Sequence, residues 1–273
     1  MKFIEHNVNG VVYMTAPNIK ARHAFTTRYG GVSQGIWASM NLGEHRGDDP
    51  SNVVENYRLL KQATGIDTDR LVFTHQVHGD VVRIASEADI HTLMTEVPYD
   101  ADGLVTNIPG LPITAFIADC VPLLMHDEIH GVIAAVHCGW RSTVQDIMAR
   151  AVEQMVSLGA QPENIQAAIG ASIGACCFET GPEVPEAIRA LLPDDHEGII
   201  RPGKLPEKFY VDLREAIRRR LMQLGVPAEQ IAVSEECTMC SSEKYWSHRA
   251  TQGKRGHQAA MIVLDDGREA QCV

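Results

Sequence analysis

The chain has 273 residues, 45 % of them apolar and 22 % charged, and a formal charge of −11. That balance excludes a disordered chain, and the length is enough to bury one sizeable core. An acidic chain without a Lys/Arg block also excludes a binder of nucleic-acid backbones.

In chain order, VVYMTA at residues 11–16 reads as a strand. The segment HAFTTRYGGVSQGIWASMNLGEHRGDDP has no clean period, and a loop this long in a compact domain is often functional. Its Gly30-Gly31 pair suggests unusual backbone angles. Asp49-Pro50-Ser51 opens a helix, Val53, Val54, Tyr57, Leu60 and Ala63 give it an apolar stripe, and Gly65 ends it. LVFTHQVHGDVVRIA is strand-like on both sides of a polar centre, and ADGLVTN is a short strand. LPITAFIADCVPLLMHD reads as one buried strand that reaches Asp119-Cys120 and breaks at Pro122. HGVIAAVHCGW is another, ending at His137. Residues 103–125 carry a single charge, Asp119, but Pro109, Pro112 and Pro122 prevent a membrane-spanning helix.

Further on, Thr143 to Leu158 reads as one amphipathic helix stopped by Gly159. Ile165 to Ile173 is a strand, Pro182 to Leu192 a helix, and FYVDLREAIRRRLMQLGV a strand into a helix ended by Gly225. IAVSEEC and HQAAMIVL form the last strand pair. There is no repeat, no linker and no strict βαβ rhythm. The expectation is a single α+β domain over residues 1–273 with a mixed sheet. The start, MKFIEHNVNG, lacks the basic and apolar regions of a secretory signal, and seven cysteines cannot all pair within the chain. A reducing, cytoplasmic setting is therefore expected, with no membrane partner.

The phosphate-binding, dinucleotide, metalloprotease and zinc-deaminase signatures are all absent. Cys237-x-x-Cys240 is a lone pair, and the adjacent Cys176-Cys177 is a poor partner for it, so these cysteines read as packing. What remains are polar residues at the ends of apolar strands: His78 in THQVHG, Cys120 in IADCVPLL and His137 in AAVHCGW. Brought to one sheet edge, they make a His-Cys-His set with an open fourth position, the layout of a catalytic zinc site. Each also reads as an ordinary core or edge residue, and a Cys-His pair also suits a nucleophile and its base. Around them, Asp119 needs a donor or a task if buried. Arg141 sits at a strand-to-helix corner suited to gripping an anion. Arg28, Asn41 and His45 lie in the glycine-bearing loop, and Ser247-His248-Arg249 in a C-terminal polar turn.

These blocks together resemble the YlmD/YfiH family, also called the multicopper polyphenol oxidase or laccase-domain family and grouped as purine nucleoside phosphorylases. The resemblance rests on HAFTTRYGGVSQG, MNLGEHRGDDP, THQVHG, DADGLVTN, ADCVPLL, AAVHCGWRSTV, IGASIGACCFETGPEV, VDLREAIRRRL, ECTMC and WSHR, and spans nearly the whole chain. It implies a single α+β domain with mixed sheets layered between helices. It implies a zinc site on His78, Cys120 and His137, which would also be the catalytic residues. It further implies phosphorolysis of adenosine, inosine, guanosine and methylthioadenosine, with deamination of adenosine. Cys138 and Ser142 depart from the small residues common in the family, beside the expected site. For this chemistry Arg28 and Arg141 are the expected phosphate contacts, and Asn41 and Asp119 the expected hydrogen bonds to base or ribose. Two rivals share the pocket. One is hydrolysis of a peptidoglycan precursor, removing L-serine from UDP-MurNAc. The other is copper-dependent phenol oxidation, which needs more histidines than one His-Cys-His set offers.

Overall fold

Asn9 and Gly10 both hold positive φ, 52° and 89°, as a two-residue hairpin turn between twisted strands requires. They join β1 (Ile4–Val8) to β2 (Val11–Thr15) with Val8 opposite Val11. A computed structural model describes residues 1–267 of the chain. Residues 268–273 of the expected domain range lie outside the described residues. After β3 (Arg22–Thr26) and the long loop comes α1 (Pro50–Thr64), capped as its sequence dictates. The Asp49 side chain accepts from Ser51 N–H, Pro50 opens the first turn, and Gly65 closes the helix at φ 69°. The chain continues through β4 (Val82–Ile84), β5 (Gly103–Thr106), β6 (Ile113–Ile117), β7 (Val121–Asp127) and β8 (Val132–Cys138). Next are α2 (Trp140–Val144), α3 (Ile147–Ser157), β9 (Ile165–Ile169), β10 (Glu179–Thr180), α4 (Glu183–Leu191), β11 (Ile200–Pro202) and β12 (Phe209–Val211). The last elements are α5 (Leu213–Gln223), β13 (Ile231–Val233), α6 (His248–Thr251) and β14 (Gln258–Val263).

Two sheets carry the fold. One is antiparallel, in the order β1-β2-β3-β14-β6, and the other is mixed, in the order β13-β9-β7-β8-β5-β4. A short sheet, β10-β12-β11, stands apart. The alternation of a strand assigns its residues to layers. Ala260 and Ile262 face the second sheet, sharing a core with Leu124, Ile133 and Ala135, whereas Ala259, Met261 and Val263 face Tyr57 and Leu60 of α1. On the far side, Leu123, Met125, Ala134 and Val136 pack against α3, α4 and α5. The order of layers is therefore helix, sheet, sheet, helices, an α+β domain with its sheets between helices. Central strands buried on both faces read as continuous apolar runs. That is why residues 103–125, which look membrane-like, become β5, β6 and β7. No helix among the described residues is long and apolar enough to cross a membrane.

Four local expectations are corrected. LPITAFIADCVPLLMHD is two strands in two sheets, and the break falls at Asp119, with φ 83°, while Pro122 lies inside β7. Pro122 sits at the second position of its strand, near the end where a missing N–H is tolerated. The helix expected from Thr143 to Leu158 is interrupted at Asp146, with φ 65°, whose carboxylate is held by Arg220 at 2.6 Å. The strand expected to reach Ile173 ends at Ile169. The two final strands do not pair with each other: β13 runs parallel to β9, and β14 lies between β3 and β6.

Candidate functional site

The chain leaves one sheet at Ile117 and enters the other at Val121, and the turn between them is tied down by Asp119. The Asp119 carboxylate accepts from Thr238 Oγ1 at 2.6 Å, Ser247 Oγ at 3.1 Å and Arg249 N–H at 2.6 Å. Its carbonyl accepts from Ile173 N–H at 2.9 Å. So anchored, the turn sets Cys120 beside the end of β8. There alternation sends His137 to the same face as Ile133 and Ala135, and Cys138 to the opposite, helix-covered face. Cys138 therefore stands behind the site, and burial pushes its thiol up.

His78 arrives from the loop before β4, at φ 62°. Asp102, immediately before β5, holds that loop. Its carboxylate accepts from the amides of Val77, His78 and Gly79 at 3.2, 3.0 and 2.7 Å, and from His137 Nδ1–H at 2.7 Å. Gly139 completes the convergence. A Cβ there would lie 2.7 Å from His78 Cδ2, 3.4 Å from Cys120 Sγ and 3.5 Å from His137 Cε1.

His78, Cys120 and His137 each offer one ligand atom, all within 4.8 Å of one another. Cys120 Sγ lies 3.7 Å from His78 Nε2, and the two imidazoles meet edge to face at 4.8 Å. Burial alone would raise the Cys120 thiol, but the charge and hydrogen bond of His137, with those of His78, bring it down to about 6. Conversely, burial would lower His137, but Cys120 and Asp102 raise it to about 9. Both shifts favour a thiolate paired with an imidazolium between about pH 6 and 9 in the metal-free protein. A soft thiolate, two imidazoles and a carboxylate orienting one of them form a donor set that fits a zinc-type ion. His78 is exposed, and no fourth side chain among the described residues closes the group.

The three residues open into a cavity of about 810 Å³. Phe73, Phe116, Trp140 and Phe178 supply aromatic surface, and Phe73 and Phe116 meet edge to face at 5.0 Å. A second group in the lining is basic: the guanidiniums of Arg46, Arg249 and Arg255, with the imidazoles of His248, which burial and Arg255 lower, and His257. Arg255 Nε is buried with no partner, and burial together with Arg46 lowers this guanidinium to about 10. Burial, reinforced by Arg255 and Arg46, holds His257 well below its ordinary value. Arg46, His248 and Arg249 are exposed and Arg255 is half-buried, so this side of the cavity sets one partly desolvated guanidinium among solvated basic groups, an arrangement that draws an anion. Glu44 also lines the cavity. Its Oε2 lies 3.1 Å from His91 Nε2, and its Oε1 is buried without a partner.

The structure brings His78, Cys120 and His137 together with Asp119 in one lining, and leaves Arg28, Asn41 and Arg141 outside it. Arg28 lies outside the lining. Its guanidinium donates to the carbonyls of Ala38 and Ser242 and stacks on Trp246 at 4.0 Å. Asn41 is fully buried, accepting from the amides of Gly43 and His257 and donating to Asp48, so it shapes the rim through Gly43. Asp119 is in the lining, but its oxygens are engaged by Thr238, Ser247 and Arg249. Arg141 is exposed at the start of α2 and lies over Trp140, which does line the cavity, at 4.5 Å. Ser142 is buried in α2, outside the lining. Of the weaker candidates, His45, His248 and Arg249 are in the lining. Asp102, Glu44 and Arg255 were missed. A carboxylate directly before the buried Gly-Leu-Val of β5 was the available signal for Asp102, whereas Glu44 and Arg255 sit in aperiodic loops that carry none.

The family model for the multi-copper polyphenol oxidoreductase laccase matches residues 22–265. A purine nucleoside phosphorylase of Corynebacterium glutamicum is 36 % identical over 247 residues, covering 90 % of this chain and 96 % of that protein. Adenosine deaminase RL5, from an unknown prokaryotic organism, is 35 % identical over 239 residues, covering 86 % and 90 %. The crystal structure of YlmD from Geobacillus stearothermophilus superposes with a TM-score of 0.89 at 32 % identity, over 96 % of this chain and 98 % of that one.

Proposed function

The chain belongs to the multi-copper polyphenol oxidoreductase laccase family, and we propose that it is an enzyme, a purine nucleoside phosphorylase. Its substrates are adenosine, inosine, guanosine and methylthioadenosine, each cleaved by phosphate to the free base and the sugar 1-phosphate. The observation that carries this reading is one cavity with a buried, partnerless Arg255 Nε on its cationic side and a thiolate–imidazole group on the other. The first is suited to inorganic phosphate and the second to a sugar carbon that becomes cationic as its bond to the base breaks. A relative named purine nucleoside phosphorylase at 36 % identity supports the same assignment.

In this reading Arg255, Arg46, Arg249 and His248 hold phosphate, and Arg141 remains a cation at the rim beside Trp140. The half-buried Arg255 guanidinium, fixed before the reaction, stabilises the attacking anion without reorganising. Phe73, Phe116 and Phe178 hold the flat purine and exclude water, and the volume of about 810 Å³ suits a nucleoside plus phosphate. Glu44 brings a carboxylate to the same cavity, suited to a ribose hydroxyl. Asp102 keeps the proton on His137 Nδ1, so that His137 Nε2, His78 and the Cys120 sulfur all face the cavity as donors for zinc. Zinc bound there would supply Lewis-acid chemistry and an oriented water. We assign zinc rather than copper because no Met among the described residues lines the cavity to complete a blue-copper set, and one His-Cys-His group is too few ligands for several coppers. A reducing, cytoplasmic setting suits a working thiolate.

The test is incubation with inosine and with adenosine, with and without phosphate. Phosphate-dependent release of hypoxanthine or adenine, with ribose 1-phosphate, is expected. Its absence for all four nucleosides overturns the assignment. The similarity to adenosine deaminase RL5 favours a second activity in the same cavity, read in the same assay as inosine formed from adenosine without phosphate.

A further inference from the structure

Four cysteines converge behind the cavity wall, although the sequence separates them into an adjacent pair and a lone Cys-x-x-Cys. The Sγ atoms of Cys176, Cys177, Cys237 and Cys240 all lie within 4.8 Å of one another. Cys240 Sγ is 3.6 Å from Cys176 Sγ and 3.4 Å from Cys177 Sγ, and neither pair is a disulfide. We propose that these four residues are a second metal site, a closed tetrathiolate that takes one zinc ion in a structural role.

The spacing suits a tetrahedron. Four sulfurs about 2.3 Å from a central zinc stand about 3.8 Å apart. Local structure explains how adjacent cysteines can both take part. The amides of Cys177 and Phe178 both donate to Gly174 O at 2.9 Å, so residues 174–178 form a tight turn that presents Cys176 and Cys177 to the same side. Cys237 and Cys240 project from the turn closed by Ser241 N–H to Cys237 O, at 2.9 Å. Gly174 N–H donates to Cys237 Sγ at 3.2 Å, the kind of bond a buried thiolate needs. Four thiolates on Zn²⁺ carry two net negative charges, and each cysteine gives up its thiol proton to solvent on binding. Two guanidiniums are fixed nearby to offset that charge. Arg201 donates to Ala175 O at 3.0 Å, and Arg214 donates to Glu236 O at 3.1 Å, the residues directly before Cys176 and Cys237.

The clamp has a task. Thr238, inside the Cys-x-x-Cys, donates to Asp119 and also bonds Ser172 O through its amide at 3.0 Å, while Ile173 N–H holds the Asp119 carbonyl. Metal bound by the four cysteines therefore fixes the two segments that hold the Asp119 turn, and through it the position of Cys120.

The test uses full-length Cys120→Ala protein, in which the His-Cys-His group is disabled. It is loaded with zinc under reducing conditions and freed of excess metal. One zinc per chain is expected, with Cys176, Cys177, Cys237 and Cys240 protected from iodoacetamide until a chelator is added. Cobalt substitution should give the intense sulfur-to-cobalt absorption of several thiolates. Adding Cys176→Ser and Cys240→Ser, both at exposed positions, should abolish the bound metal with the circular dichroism unchanged. Absence of metal in the Cys120→Ala protein, equal alkylation with and without zinc, or a Cys177–Cys240 disulfide in protein prepared with reductant overturns the proposal.

Discussion

Asp102 shows how one buried carboxylate organises a site made from distant parts of the chain. It fixes His78 by gripping the backbone of residues 77–79 and fixes His137 by gripping its imidazole. Asp102→Asn keeps the shape but weakens the grip on His137 Nδ1–H. Loss of such a carboxylate partner behind a ligating His typically costs 10- to 100-fold in metal affinity. The expected outcome is a zinc affinity weaker by about that factor in chelator competition, with the fold intact. Cys120 and His137 also predict a pH profile for the metal-free protein. The Cys120 thiol titrates near 6, below its ordinary value of 9.0, so the stability it contributes is complete above 9 and is lost as the pH falls through about 6. His137 titrates near 9, above its ordinary 6.5, so its contribution is complete below 6.5 and is lost as the pH rises through about 9. The ion pair is populated between those limits. Alkylation of Cys120 should therefore stay fast at pH 7 and fall away only below about 6. In His137→Ala the midpoint should move up towards the ordinary thiol range. A wild-type midpoint above 8 would contradict the pairing.

At the scale of elements, the site depends on one strand being cut in two. β6 and β7 belong to different sheets, and Asp119 makes the switch at φ 83° with three donors on its carboxylate. Asp119→Ala strips those bonds and leaves the buried hydroxyls of Thr238 and Ser247 short of an acceptor. A loss of about 2–4 kcal/mol of stability is expected, measurable by urea unfolding, together with weaker metal binding by the candidate His78, Cys120 and His137 group. The contrast with Gly139→Ala is informative. There the clash is with His78 Cδ2 at 2.7 Å, so metal affinity should fall while the urea midpoint changes little.

The same elements explain what the sequence discloses. Capping is local chemistry, so α1 is readable from Asp49-Pro50 to Gly65. The end of β8 is readable because polar residues close its apolar run at His137, and Cys120 is readable as a polar position that an apolar run reaches, though not as the residue before a new strand. The sheet switch is hidden because the apolar run continues across it, and Pro122 is a more visible breaker than Asp119. The Asp146 break is hidden for the same reason: the helical period continues through it. The convergence of Cys176-Cys177 with Cys237 and Cys240 depends on β13 lying parallel to β9, a tertiary pairing with no local signature. Conversely, Asn9-Gly10 was a readable hairpin signal for β1.

Over the whole molecule, a charge of −11 and a candidate phosphate site are compatible because they act at different distances. The acidic surface is screened within about 8 Å at physiological ionic strength, whereas the half-buried Arg255 guanidinium acts at contact. The half-buried Arg255 guanidinium is therefore only partly relieved in the free protein, by Gly256 O, His248 and the nearby charges of Asp119 and Cys120, and phosphate should relieve it further. A ligand at 100 times its Kd that binds only the folded state adds about 2.7 kcal/mol of stability. For a domain of this size that is a rise of about 5 °C in the melting temperature. Phosphate should raise the melting temperature by that order at saturation, where chloride at matched ionic strength does not. Arg255→Met keeps the apolar stem but removes the guanidinium, and with it most of the phosphate shift. Because one unfavourable charge is also removed, its melting temperature without phosphate should match or exceed that of the parent. An Arg255→Met protein that keeps the full phosphate shift would move the anion site away from this cluster.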